Sequence, residues 1–194
     1  KVRTKLYLSI GTLLLIGLGM FLATSIITSA QQNDGLVINL AGRQRMLSQK
    51  MAKEVLLYHE TVRGGTDGAK LRQQTLTTMA LFENTLDALW KSGPAPVTTD
   101  PQGAMAHIPQ ATDEVGKQLA VVDGLWKTYK SAIMNVLDTN KLSPGLLDSS
   151  LKVLVEMNKV VGMMQAESET RVNVLLISQA TGMVLMLFIG LVIA

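Results

Sequence analysis

The sequence predicts an all-α protein, an antiparallel up-down four-helix bundle whose first and last helices continue into two transmembrane helices. Three observations carry that expectation. Long charge-free apolar runs occupy both ends; Leu, Met, Ala, Gln and Lys recur at helical spacing between them; and three clusters of helix-breaking residues divide the intervening chain into four.

The ends come first. Of 194 residues, 47% are hydrophobic and only 17% charged, an unusual balance for a soluble protein. The excess sits in Leu6 to Thr28 and Val172 to Ala194, which hold no charged residue, and each is long enough as a helix to cross ~30 Å of hydrocarbon. The first run exceeds the ~7 to 15 residues of a signal-peptide core, and Ser29-Ala30-Gln31-Gln32 reads on into helix, so an uncleaved anchor is expected. Lys1, Arg3 and Lys5 place the N-terminus in the cytoplasm by the positive-inside rule. The expected domains are thus 1–28, a cytoplasmic start and first span; 29–171, the outer domain; and 172–194, the second span. With no Met at position 1 and no segment after the second span, the chain reads as a fragment whose output domain is absent.

Between the spans the breaks are Gly64-Gly65-Thr66-Asp67-Gly68, then Ser92-Gly93-Pro94-Ala95-Pro96 running on to Pro101 and Pro109, then Asn140-Lys141-Leu142-Ser143-Pro144-Gly145. They set helices over about 29–63, 67–92, 109–139 and 143–171, the last started by Ser143 as cap and Pro144 in the first turn. Short connections make successive helices antiparallel neighbours. Leu81, Leu86, Trp90, Leu119, Leu125 and Trp126 are expected in the core.

Several function classes are disfavoured. The absence of cysteine excludes a disulfide framework and thiolate metal sites, and a net charge of +3 spread along the chain does not favour nucleic acid. The Gly64–Gly68 run lacks the Lys-Ser/Thr pair and preceding strand of a phosphate loop, so it is a turn. His59 and His107 stand in different segments without a carboxylate cluster, so neither a metal site nor a catalytic acid-base pair is expected; no cofactor and no enzymatic activity are expected either.

Chemistry concentrates in residues 36–53. At ~100° per residue, Leu36, Leu40, Leu47, Met51 and Tyr58 share one side, with Val55 at its margin, and that side faces the core. The opposite side gathers Ile38, Ala41, Arg45, Ser48 and Ala52, mostly small residues around one guanidinium. Small residues in line permit close approach of a partner helix, either of the same bundle or of a second subunit about a two-fold axis. In the second case two Arg45 side chains face each other, and guanidinium groups ~7 Å apart repel by ~2 to 3 kcal/mol at an effective dielectric of 20 unless an anion lies between them. No Asp or Glu occurs from Leu36 to Lys53, and the planar fork of an arginine suits a planar oxyanion. For Arg43, Lys50 and Lys53, ordinary surface pairing with acids elsewhere is expected; Arg45 is the candidate ligand residue.

The stretch Ile38-Asn39-Leu40-Ala41-Gly42-Arg43-Gln44-Arg45-Met46-Leu47-Ser48-Gln49-Lys50-Met51 resembles the signature of the PilJ-type sensor domain, found at the N-terminus of some chemoreceptors. It also resembles the P-box of the nitrate and nitrite sensor kinases NarX and NarQ, although Arg43 and Gln44 replace smaller or apolar residues there. The resemblance implies a periplasmic sensor domain of a receptor in the bacterial inner membrane, working as a homodimer that holds one nitrate on the two-fold axis between paired first helices; nitrite is the other candidate. It sets Arg45 on the arginine that grips the anion and Gly42 on the glycine whose backbone lies beside it, with Ala41, Ile38 and Ser48 around them and Arg43 and Asn39 as secondary positions. Cytoplasmic signalling partners would act through the absent output domain. A rival reading is an interaction module for a pilin or binding protein, with Arg45 structural. An exposed apolar patch at membrane-distal loops, around Ala95, Val97 and Met105 to Ile108, would favour it. A transporter or enzyme subunit is disfavoured by only two spans without ionisable residues; Gln179 and Ser178 in the second are expected to bond a neighbouring helix.

Overall fold

A computed structural model describes residues 2–100 and 102–193. Lys1, Pro101 and Ala194 lie outside the described residues, as do the side chains of Arg3 and Lys5 on which the orientation of the first span rests. The chain is an all-α four-helix bundle of α1 (Val2–Arg63), α2 (Ala69–Lys91), α3 (Asp113–Thr139) and α4 (Leu146–Ile193), with a two-stranded sheet of β1 (Gly93–Pro96) and β2 (Met105–Ile108) between α2 and α3. It divides into two compact units, one of residues 1–34 with 165–194 and one of residues 35–164, and α1 and α4 contribute to both.

In the first unit, α1 and α4 are each long and apolar enough to cross a membrane. Polar and small side chains set their pairing. Gln179 Nε2 donates to Thr24 Oγ1 at 3.0 Å, and Gly182 lies so close beneath Met20 that a Cβ there would meet its sulfur. Gln179 therefore bonds across helices as expected, whereas Ser178 donates to Leu175 O of its own helix. Arg171 closes a bidentate pair with Asp34, Nε to Oδ2 at 3.1 Å and Nη2 to Oδ1 at 2.8 Å.

In the second unit, hydrogen bonds fix the topology. Gln44 and Arg43 of α1 meet Phe82 and Thr85 of α2, Glu83 and Arg72 of α2 meet Lys130 and Asp138 of α3, and Gln118 of α3 meets Glu156 of α4. In the first two pairings the sequence numbers run in opposite directions, which is the up-down arrangement. Leu40, Leu47, Met51, Val55 and Tyr58 line the core side of α1 as the periodicity predicts. Leu81, Leu86, Leu119 and Trp126 are buried with them, and Trp126 stacks on Phe82 at 4.5 Å; Trp90 and Leu125 sit half-buried at the rim. Gly68 fits between Val62 and Tyr58, where a Cβ would lie 2.7 Å from Val62 Cγ2, so the first turn can close on α2.

Two local expectations are corrected. Ser143 does not cap α4 directly: its carbonyl accepts from Leu146 N at 3.1 Å in a turn through Pro144 and Gly145, and the helix begins at Leu146. The region between α2 and α3 is a hairpin rather than an open break. Gly93, at φ 151, turns the chain out of α2 into an antiparallel register of Gly93 with Ile108 and Pro96 with Met105. Its prolines are tolerated because they alternate: Val97 N donates to Ala104 O, so residues 93, 95 and 97 face β2, and Pro94 and Pro96 face the free edge.

The hairpin lies at the end of its unit where α1 enters, beside Arg43, while His59, Tyr58 and Asn140 mark the opposite end. The apolar patch that would have favoured the interaction-module reading is not continuous here: Ala95 and Ile108 are fully buried, Ala106 is half-buried, and Val97, Met105 and the polar His107 are exposed.

Candidate functional site

Arg45 stands on α1 with its guanidinium partly exposed. Nη1 donates to Asn158 Oδ1 of α4 at 2.8 Å, and Nε reaches Gly42 O at 3.5 Å, at the limit of a hydrogen bond. Among the described residues, no carboxylate comes within ion-pairing distance of Arg45. The charge is thus held by neutral oxygens, with donors left over. A Cβ at position 42 would come within 3.4 Å of Arg45 Nη2, so Gly42 keeps room beside the fork.

The small-residue line does not face outward. Ala41 and Ser48 are fully buried, Ala52 is 5% exposed and Ile38 packs against the core, all within the chain's own bundle. The Ser48 carbonyl accepts from Tyr129 of α3 at 2.9 Å and from Ser150 of α4 at 3.4 Å, making it a crossing point of three helices. Close approach was therefore read correctly from residue size, and the partner is intramolecular. The outward stripe lies one residue further round, about 100° away: Asn39, Met46, Gln49, Lys53 and Leu57 are exposed, with Gly42 half-buried between them.

Arg43 departs furthest from expectation. It is not paired with a surface acid; its fork donates to Thr98 O and Pro96 O of the hairpin and to Thr85 Oγ1 of α2. Its Nε is buried without a partner among the described residues, and burial draws its pKa below the ordinary arginine value. Gln44 is fully buried and donates to Phe82 O at 2.6 Å, pinning α1 to α2. Lys50 reaches Glu54 at 3.7 Å, and Lys53 is exposed. Spacing could not have revealed Arg43's carbonyl partners, 53 and 55 residues away, or Asn158, 113 residues from Arg45.

Elsewhere, a shallow cleft between α2 and α3 is bordered by Glu83, Asp87 and Asp123, each paired with a lysine. Among the described residues, no group of three His, Cys, Asp or Glu is placed to hold a metal ion.

Residues 26–144, more than half the chain and including the whole Arg45 segment, match the family described as type IV pili methyl-accepting chemotaxis transducer N-terminal, PilJ. The chain belongs to the PilJ family. No curated protein matches it. As a PilJ domain it is the N-terminal sensor module of a chemotaxis transducer, a signalling module rather than a member of a known enzyme family. Its two apolar helices fit a membrane-associated receptor. The PilJ match ends at residue 144, before α4, so Arg45, Gly42 and Arg43 fall inside it and Asn158 outside.

Proposed function

We propose that this PilJ domain senses nitrate or a similar small oxyanion at Arg45, from the periplasmic side of a bacterial inner membrane, and passes the signal on as a displacement of α1 against α4. The observation that supports the reading is the partly exposed Arg45 guanidinium, which has neutral oxygens and no carboxylate around it among the described residues. A cation so placed has unused hydrogen-bond donors and no compensating charge, and a planar anion supplies both needs. The resemblance of the segment to the P-box of nitrate sensors supports nitrate among such anions.

A second copy would dock on the outward stripe of Asn39, Gly42, Met46, Gln49, Lys53 and Leu57, with the long Arg45 side chain reaching the margin of that stripe. An anion shared by two Arg45 groups relieves their repulsion and so stabilises the dimer; reciprocally, dimer formation creates the site. Anion binding can shift signalling only through unequal affinity for two helix packings.

The test is titration of sodium nitrate into the 194-residue chain in lipid nanodiscs. Saturation near one nitrate per two chains, abolished in Arg45→Ala with helical content nearly intact, is expected. One anion per chain with affinity independent of protein concentration would refute sharing, and binding that survives Arg45→Ala would refute the site.

A further inference from the structure

We infer that Asn158 of α4 is the second wall of the anion site, its side-chain amide N–H₂ donating to the same oxyanion that Arg45 of α1 grips. The inference rests on the reading that Arg45 binds an anion and adds to it a specificity-determining residue on the other helix.

Chemistry fixes the orientation of the amide. A guanidinium carries only donors, so the Asn158 atom facing Arg45 Nη1 at 2.8 Å must be the carbonyl oxygen. Nδ2 is then the other atom on that carbon, turned away from Nη1 yet beside the fork. Among the described residues Nδ2 has no acceptor, and neither does Arg45 Nη2. Asn158 and its neighbour Lys159 are exposed, so Nδ2 is open to a ligand from solvent.

The surroundings favour an anion over a cation. The neighbouring acid on α4, Glu156, is turned toward α3, where Gln118 donates to it at 2.7 Å, and its second oxygen pairs with Lys159. Lys159 holds the Glu156 carboxyl below the ordinary value, so Glu156 stays charged and engaged on that side. What remains around Arg45 is a guanidinium, an amide N–H₂ and the open space above Gly42.

Two donors on two helices suit an anion with divergent acceptor oxygens better than a spherical one. A nitrate can take Nη2 of Arg45 with one oxygen and Nδ2 of Asn158 with another; chloride offers a single centre. The same bridging makes the ligand a tie between α1 and α4 within one subunit, in addition to any tie between subunits.

The experiment compares the 194-residue chain in nanodiscs with its Asn158→Ala, Asn158→Asp and Arg45→Ala variants, titrating sodium nitrate and sodium chloride by calorimetry and recording thermal unfolding. Asn158→Asp keeps the oxygen that holds Arg45 but replaces the amide donor by a negative charge, so nitrate affinity should fall more than tenfold while the melting temperature holds or rises. Asn158→Ala should lose nitrate affinity about fivefold, the scale of one hydrogen bond, and narrow the preference for nitrate over chloride. A purely propping role would change melting without changing that preference. If both Asn158 variants bind nitrate within twofold of the unaltered chain while Arg45→Ala does not bind, the role of Asn158 is refuted and the Arg45 site stands. If the unaltered chain binds neither anion, both fall.

Discussion

Replacing Arg43 by alanine should loosen the hairpin and leave the four helices in place. Three donor contacts are lost at once: Nη1 to Thr98 O, Nη2 to Pro96 O at 2.7 Å, and Nη2 to Thr85 Oγ1 at 3.1 Å. Charge-assisted bonds of this kind contribute roughly 1.5 to 3 kcal/mol each when buried. Two effects reduce the sum. The Thr98 contact is exposed, and the native state already bears a buried Nε without a partner. A net destabilisation of about 2 to 3 kcal/mol remains, which for a unit of this size lowers the melting temperature by roughly 6 to 12 °C. Thermal unfolding of the chain in detergent, followed by circular dichroism, measures the shift; hydrogen exchange at the Val97 amide, which bonds Ala104 O, reports the hairpin itself. Arg43→Lys should recover about half the loss, because an ammonium on a flexible stem cannot span two carbonyls as a fork does. A melting temperature within about 2 °C of the unaltered chain, with Val97 protection unchanged, would show that Arg43 does not hold the hairpin.

Three further outcomes are expected. Burial pushes the Tyr129 phenol up to about 12, so its folded pKa lies above the ordinary value; the stability it contributes is intact below pH 10 and lost as pH rises toward 12, and Tyr129→Phe should flatten stability over that window in urea titrations while costing about 1 kcal/mol at neutral pH. Gly68→Ala should destabilise by roughly 1 to 3 kcal/mol in the same titrations, because its Cβ would fall 2.7 to 2.9 Å from Val62 and the Tyr58 ring. Because the chain contains no cysteine, Thr24→Cys with Gln179→Cys should be bridged within one chain by a short bis-thiol reagent that spans the gap left by the glutamine side chain, whereas Gly182→Leu, which drives Met20 outward, should suppress that crosslink.

Features set by composition along a single segment were legible before any coordinates. The two long apolar helices follow from charge-free length, and the core side of α1 follows from the spacing of Leu40, Leu47, Met51, Val55 and Tyr58. Facing partners were not legible. A line of small residues looks the same whether the helix pressed against it belongs to the same chain or another, so Ala41, Ser48 and Ala52 signalled close approach and left open which neighbour, and they are buried within the chain's own bundle. The hairpin escaped notice because four prolines between Pro94 and Pro109 read as punctuation; only pairing with β2 shows that Pro94 and Pro96 both occupy positions that need no donor. Arg43 and Arg45 lie two residues apart in one basic motif, yet one serves a sheet edge and the other a helix–helix seam, a division set by atoms far away in sequence.

The free edge of β1 has a consequence for how the protein behaves among many copies of itself. An open strand edge ordinarily offers alternating N–H and C=O groups that another strand can zip onto, which is how sheets spread into aggregates. On β1 the outward donors are missing at Pro94 and Pro96, and the outward carbonyls of Pro96 and Thr98 are already taken by Arg43. The edge of β1 therefore offers another strand no N–H at Pro94 or Pro96 and has already given the Pro96 carbonyl to Arg43, which makes it a poor template for intermolecular pairing.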